Sequence, residues 1–260
     1  MKRIVFLLSI LFCSVAFAHT IEWYVGDTLL STTTCESGDN ITPPTAPAKF
    51  GYHFKKWKPE YTRIEYLEST GTQWIDTGYV PNIGTKFEIR VQLLSGATQD
   101  IAGVSSAYIG PNSYFAPLTI SGNACVYYFN SYHITGAVCR VNDIITASIY
   151  VMPTQAEIIQ NNETLNITNT YTQSGVYMSS VSLYLFAGHA VISDNQSYAV
   201  ENSIAKMFYA KIWQDNTLVR DFIPVLDGDG TPCMFDKVEK KFYYNAGTGQ
   251  FIAGPIIGGQ

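Results

Sequence analysis

Six side chains in the middle of the chain are of a kind that grips sugars: Tyr108, Tyr114, Tyr127, Tyr128 and Tyr132, with Asn130 among them. An aromatic ring stacks on the CH groups of a sugar, and a neighbouring amide serves its hydroxyls. The six cluster around an expected hairpin and its loops, so they form the candidate ligand-binding set. Strand alternation turns about half of such aromatics inward, and core packing is therefore the competing role of each.

Catalytic patterns are missing. A glycosidase built on a sheet places carboxylates as Glu-x-Asp-x-Glu, because alternate residues share one face and can flank one bond. Glu65 and Glu68 fall an odd number of positions apart, on opposite faces of an ideal strand, and Glu157 and Glu163 stand alone in a polar stretch. There is no Gly-x-Ser-x-Gly, and His19, His53, His133 and His189 carry no neighbouring carboxylate pattern. His189 reads as a polar residue at the end of a strand. Asp227-Gly228-Asp229-Gly230 has the carboxylate spacing of a calcium loop but lacks the downstream Glu of an EF-hand. It also has the chemistry of a hairpin turn, where glycine supplies a positive φ, and that is the expected role. No cofactor and no catalytic residue are expected.

Four cysteines lie beyond the N-terminal segment: Cys35, Cys125, Cys139 and Cys233. Cys125 and Cys139 flank the expected hairpin and are the candidate disulfide, although each cysteine can equally be a small buried apolar residue. None has the close pair spacing of a zinc site.

The elements that must position these groups are strands. Lys86–Leu93 has period two, with Phe87, Ile89, Val91 and Leu93 on one face and Lys86, Glu88, Arg90 and Gln92 on the other. Further strands are expected at Ile101–Val104, Tyr114–Ile120, Ala124–Phe129, Tyr132–Arg140, Ile144–Met152, Glu157–Gln160 and Val181–Ala187. The series ends with Lys206–Gln214, Leu218–Leu226, Cys233–Asp236 and Lys241–Asn245. Ile64–Ser69 and Gln73–Gly78, joined by Thr70-Gly71-Thr72, read as a hairpin. Earlier, Ile21–Val25 and Leu29–Cys35 form another around Gly26-Asp27. No stretch sustains a helical period, beyond one short turn expected at Glu201–Lys206. Short strands separated by Gly, Asn, Asp, Ser and Pro imply a sandwich or barrel.

Composition fits an all-β protein outside the cell. Tyr (18) and Phe (14) suit pleated faces, while charged residues make up only 14% of the chain. The formal net charge of −5 and the lack of any Lys/Arg block argue against nucleic acid. Lys2 and Arg3, the apolar run Ile4–Phe12 and Ala16-Phe17-Ala18 form a signal-peptide pattern, with cleavage expected after Ala18. That run is too short for a membrane span of about 20 residues, and Phe12 before Cys13 does not fit a lipobox. No membrane insertion is expected after cleavage.

Residues 19–59 resemble the Listeria–Bacteroides repeat, the B-repeat of internalin-type surface proteins. The residues that carry the likeness are Cys35, Gly38, Ile41, Pro44, Pro47 and Gly51-Tyr52-x-Phe54-x-x-Trp57. Lys56 stands where that family usually has Gly, and only one copy is present. Residues 60–260 resemble the concanavalin A-like, laminin-G-like jelly-roll domains of bacterial surface proteins. The likeness lies in Tyr66–Gly78 at one end, and in Ala210–Trp213, Leu218–Pro224, Thr231–Val238, Lys241–Asn245 and Gly247–Gly249 at the other. It implies a two-sheet sandwich with a binding function. In such domains calcium is held by loop oxygens, which makes Asp194 and Asn195 the candidates.

The reading is thus an all-β chain: a signal peptide over 1–18, a small β-rich repeat unit over 19–59, and a two-sheet concanavalin A-like jelly-roll sandwich over 60–260. The expected function is secreted or cell-surface recognition and adhesion, without catalysis, toward a glycan or a cell-surface protein. A structural surface protein with no small ligand and a glycoside hydrolase-like enzyme are the alternatives.

Overall fold

The computed structural model describes residues 19–25, 28–36, 39–50, 60–82, 84–105, 114–121, 124–129, 132–138, 140–150, 155–160, 163–168, 181–193, 196–200 and 202–257. Within these, strand residues 105–138, 149–168 and 192–197 are described by their backbone. The expected signal segment, the Gly51–Trp57 motif and Asp194-Asn195 lie outside the described residues. The described residues are all-β, with no helix. The chain divides into two units, Met1–Lys58 and Pro59–Gln260.

In the first unit β1 (His19–Val25) pairs antiparallel with β2 (Thr28–Cys35), from His19 opposite Cys35 to Val25 opposite Thr28. The indole Nε1 of Trp23 donates to Thr33 Oγ1 across the ladder at 2.9 Å.

Among the described residues the second unit holds nineteen further strands. In chain order the first are β3 (Tyr61–Arg63), β4 (Leu67–Thr70), β5 (Ile75–Asp76), β6 (Thr85–Leu93), β7 (Gln99–Ser105), β8 (Tyr114–Ser121), β9 (Ala124–Phe129) and β10 (Tyr132–Val138). Then come β11 (Ile144–Tyr150), β12 (Gln155–Gln160), β13 (Glu163–Thr168), β14 (Tyr184–Leu185), β15 (Gly188–Ser193) and β16 (Gln196–Val200). The last are β17 (Ile204–Gln214), β18 (Thr217–Asp227), β19 (Pro232–Asp236), β20 (Lys241–Tyr243) and β21 (Ile252–Ala253). The larger sheet runs β13-β12-β11-β6-β17-β18-β19-β20, with β4 also on β17, β21 on β4 and β3 on β18. The smaller runs β10-β9-β8-β7-β14-β5, with β15 joining β7 to β16.

The two sheets share one core, as in a β-sandwich. Phe87, Ile89, Val91 and Leu93 of β6, Ile145 and Ala147 of β11, and Met207, Ala210 and Ile212 of β17 come from the larger sheet. Ile75, Ile101, Ala102, Val104 and Leu185 come from the smaller one. Period-two alternation gives β6 its dry face, and burial of each large apolar side chain there contributes about 1.5–3 kcal/mol.

Three expectations need correction. Tyr66–Gly78 is not a hairpin: β4 joins the larger sheet through β17 and β21, whereas β5 joins the smaller through β14. Gln73, 2% exposed, fixes the crossing, since its Oε1 accepts from the Thr70 amide at 2.8 Å and from the hydroxyls of Ser69 and Thr70. The strand expected at Val181–Ala187 contracts to Tyr184–Leu185, because Phe186 adopts φ +66° and reverses the chain. β14 is therefore antiparallel to β7, and β15 parallel to it. The short turn expected at Glu201–Lys206 is replaced from Ile204 onward by β17. The Asp227–Gly230 turn is the expected hairpin joining β18 to β19. Gly230 takes φ +88°, and Asp227 Oδ1 accepts from the amides of Asp229 and Thr231, both at 2.9 Å. These backbone donors, with Thr231 first, hold the Asp227 carboxyl below its ordinary range.

A buried ion pair ties the C-terminal hairpins together. Asp236 is fully buried, and its Oδ1 accepts from the amides of Asp221 (2.9 Å) and Val238 (3.0 Å). Arg220 brings Nε to 3.6 Å from Asp236 Oδ2 and Nη2 to 2.7 Å from Glu239, whose other oxygen accepts from Tyr243 OH at 2.5 Å. Arg220 keeps Glu239 if Asp236 is removed, but removing Arg220 leaves the Asp236 carboxylate buried without its counterion, at a cost of about 3–5 kcal/mol. Arg220→Met is therefore expected to lower the urea midpoint by an amount equivalent to about 3–5 kcal/mol with an unchanged slope, as read by equilibrium denaturation.

Candidate functional site

β17 is amphipathic in two halves that are out of phase. Lys206 and Phe208 keep one alternation, and Tyr209, Lys211 and Trp213 keep the other. The structure resolves this with a β-bulge. Met207 pairs with Val91 and Tyr209 with Arg90, which leaves Phe208 as the extra residue. A bulge admits one residue without a partner and re-aims the side chains that follow. Here it brings Met207, Ala210 and Ile212 all to the core while Phe208 and Tyr209, adjacent in sequence, are both half-exposed.

The side of the larger sheet turned away from the core thus gathers chemistry from several strands. β6 gives Lys86, Glu88, Arg90 and Gln92, opposite Trp213, Lys211, Tyr209 and Lys206 of β17. β11 gives Thr146 and Ser148, opposite Arg90 and Glu88. Tyr66 and Glu68 flank the other edge, with Glu68 paired to Lys206. All are half-buried. Lys206 Nζ lies 4.4 Å above the Tyr66 ring, Arg90 Cζ 5.7 Å from that of Phe208, Lys211 Nζ 5.2 Å from that of Tyr209, and Lys86 Nζ 4.5 Å from that of Trp213. Four cations thus rest on four rings, each contact contributing about 0.5–1 kcal/mol at an exposed site. The carboxylates are only loosely held, with Lys86 to Glu88 at 3.9 Å and Lys206 to Glu68 at 4.0 Å.

A hydrogen-bonded row crosses the middle of this face. Arg90 Nη1 donates to Thr146 Oγ1 at 3.1 Å. The Tyr209 hydroxyl bonds in turn to Thr146 and to the Glu88 carboxylate. Burial first, and then the Glu88 charge, push the Tyr209 hydroxyl up to about 12, so it remains a protonated donor. The face therefore presents aromatic rings, amide and hydroxyl groups, and cations in surplus over carboxylates.

None of the candidate residues of the sequence reading is on the described strands of this face. Tyr108, Asn130 and Cys139 fall outside the described residues, as do the side chains of Tyr114, Cys125, Tyr127, Tyr128 and Tyr132. Their strands are placed by backbone: β9 and β10 form the expected hairpin, with Tyr132 opposite Phe129, His133 opposite Tyr128 and Ile134 opposite Tyr127. Tyr114 pairs with Ser105, and Cys125 with Ile120. Cys35 and Cys233 are free thiols, and burial pushes that of Cys233 up to about 12. Among the described residues no group of three His, Cys, Asp or Glu side chains is placed to hold a metal ion.

His189 needs correction. It lies near the start of β15, at a strand end as expected, but it is buried, 5% exposed, rather than a polar surface residue. Its ring stacks on Tyr184 at 3.8 Å, and Tyr184 stacks on Trp74 at 4.2 Å. Nδ1 lies 2.7 Å from the Ser182 carbonyl, which only accepts, so the proton sits on Nδ1. Nε2 is buried without a hydrogen-bond partner. The stack is part of the fold, and protonation of Nε2 would bury an unpaired donor.

No protein-family profile matches the chain, and no curated protein sequence matches it.

Burial lowers the pKa of His189 from 6.5, against the opposing pull of the Ser182 carbonyl and Asp76. The unfolded chain then binds this proton more readily, so stability is complete above about pH 6.5 and is lost as pH falls from there toward the folded-state pKa. Melting temperature is expected to fall as pH is lowered through that interval. His189→Gln, which keeps an N–H toward Ser182, is expected to flatten the slope.

Proposed function

We propose that this chain is an exported recognition or adhesion module, on a jelly-roll sandwich of the concanavalin A-like kind, that binds a glycan without turning it over. The binding surface is the outer face of the larger sheet. One observation carries the reading: the bulge at Phe208 sets Phe208, Tyr209 and Trp213 along one half-exposed face beside Gln92, Thr146 and Glu88. A ring that was only core material would not need a bulge to keep it out of the core. With a strand rise of about 3.3 Å, Tyr209 and Trp213 lie about 13 Å apart, which suits an extended chain of sugars running along β17. The export pattern at the N-terminus and the low share of charged residues agree with a protein that works outside the cell.

On a glycan array the purified chain is expected to give discrete positive glycans, and Tyr209→Ala and Trp213→Ala each to weaken them about tenfold through loss of one stacking ring. A folded sample that stays silent across the array would overturn the glycan reading in favour of a protein contact. Release of shortened sugars from a positive glycan would overturn the non-catalytic part.

A further inference from the structure

We propose that the ligand of this face is an acidic polysaccharide, one whose sugars carry uronic carboxylates, and that the neutral sugar chain of the same linkage is discriminated against. The inference rests on the glycan reading above and adds the ligand's charge class. It follows from what lies on the rings. Tyr66, Phe208, Tyr209 and Trp213 each have a cation within cation–π distance, supplied by Lys206, Arg90, Lys211 and Lys86 in turn. A sugar that stacks on such a ring must first displace its cation. A neutral sugar returns nothing for that lost contact, whereas a carboxylate gives the displaced ammonium or guanidinium a new partner beside the ring.

Charge balance points the same way. On the described strands of this face Lys86, Arg90, Lys206 and Lys211 stand against Glu68, Glu88 and, by its register opposite Ser148, Glu157, still a positive surplus on a chain whose formal net charge is −5. Neighbouring Asp221 does not reduce the surplus, because Lys237 holds its Oδ2 at 2.6 Å. Glu88 also bonds to Tyr209, and Lys206 and Lys211 flank Phe208-Tyr209 along β17. The cations also alternate with rings along β17, as Lys206, Phe208-Tyr209, Lys211, Trp213. A polymer with one carboxylate per sugar meets a charge and a ring in turn.

The test is calorimetric titration of the purified chain with oligogalacturonate and with the same oligosaccharide after reduction of its carboxyls to alcohols. Oligogalacturonate is expected to bind at least about tenfold more tightly, with a preference that shrinks as salt screens it. The double substitution Lys206→Gln/Lys211→Gln is expected to cost oligogalacturonate about tenfold, the equivalent of two exposed charge pairs, and to leave the reduced form no weaker. Lys206→Arg/Lys211→Arg retains the preference, and Lys240→Gln, in the turn between β19 and β20, is expected to leave it unchanged. Loss of binding with an unaltered melting temperature separates a lost contact from a lost fold. Equal binding of the acidic and reduced chains, or array hits confined to neutral glycans, would overturn the acidic assignment while leaving glycan recognition standing. Silence toward both oligosaccharides together with a silent array would overturn both.

Discussion

Everything in the larger sheet depends on how β17 satisfies its two edges. A buried strand must pair every amide and carbonyl, since an unpaired one costs what a hydrogen bond is worth. One edge of β17 is covered by β6 from Ala205 to Gln214. The other edge needs two partners in succession, β4 over Ile204–Met207 and β18 over Ala210–Gln214. Phe208 and Tyr209 lie where one partner ends and the next begins, and the bulge occupies that interval. The extra residue is placed where the ladder on one side is already interrupted, so the disruption of pairing that a bulge entails is confined to a single point. The same point fixes which residues face outward. Position in the sheet and chemistry on its surface are one constraint.

The two sides of this sheet hold charge in opposite ways. Inside, Asp236 is locked by two backbone amides and by Arg220, whose guanidinium also reaches Glu239. Outside, the cations rest on rings and near carboxylates at the limit of ion-pair distance. Interior groups of this kind set register and stability, since the surrounding low dielectric makes any unpaired charge there expensive. Exterior groups, whose side chains stay 20–25% exposed, can change partners at lower cost. Tyr209 is intermediate between the two. Its ring is half-exposed under Lys211, but its hydroxyl is held between Glu88 and Thr146, which limits the rotamers available to it.

Much of the architecture was legible because it is local. Lys86–Leu93 shows its dry and wet faces in strict alternation, and the structure buries Thr85, Phe87, Ile89, Val91 and Leu93 as the pattern requires. The Asp-Gly-Asp-Gly turn declares itself through residues that favour positive φ. Long-range pairing was not legible. Thr70-Gly71-Thr72 has the composition of a hairpin loop, yet nothing in those residues reveals that Gln73 would plug the turn and send the chain to the other sheet. Phe186 was missed because a positive φ is unexpected in a bulky aromatic, and β15 and β16 beyond it were missed with it. The face on β6 and β17 was half-visible: the phase slip between Lys206-x-Phe208 and Tyr209-x-Lys211-x-Trp213 is a bulge written in sequence. Its meaning appears only when β6 is laid alongside, because Lys86 and Trp213 are far apart in the chain.

The smaller sheet shows why ring stacking alone does not mark a site. Trp74, Tyr184 and His189 form a continuous stack, with the outer indole capped by the loop after β20, where the Ala246 amide donates to the Trp74 carbonyl and Asn245 Oδ1 accepts from the Trp74 amide. A Cβ at Gly247 would fall on the Thr72 carbonyl and the Trp74 ring, so the loop is fitted closely to that indole. Tyr184 and His189 are each 5% exposed and leave no ring face for a ligand. On β17 the rings are covered by lysine and arginine side chains, which can move without opening the fold. Aromatic residues are architecture where what covers them is backbone, and the proposed recognition rests on rings whose cover is a side chain that can exchange with solvent.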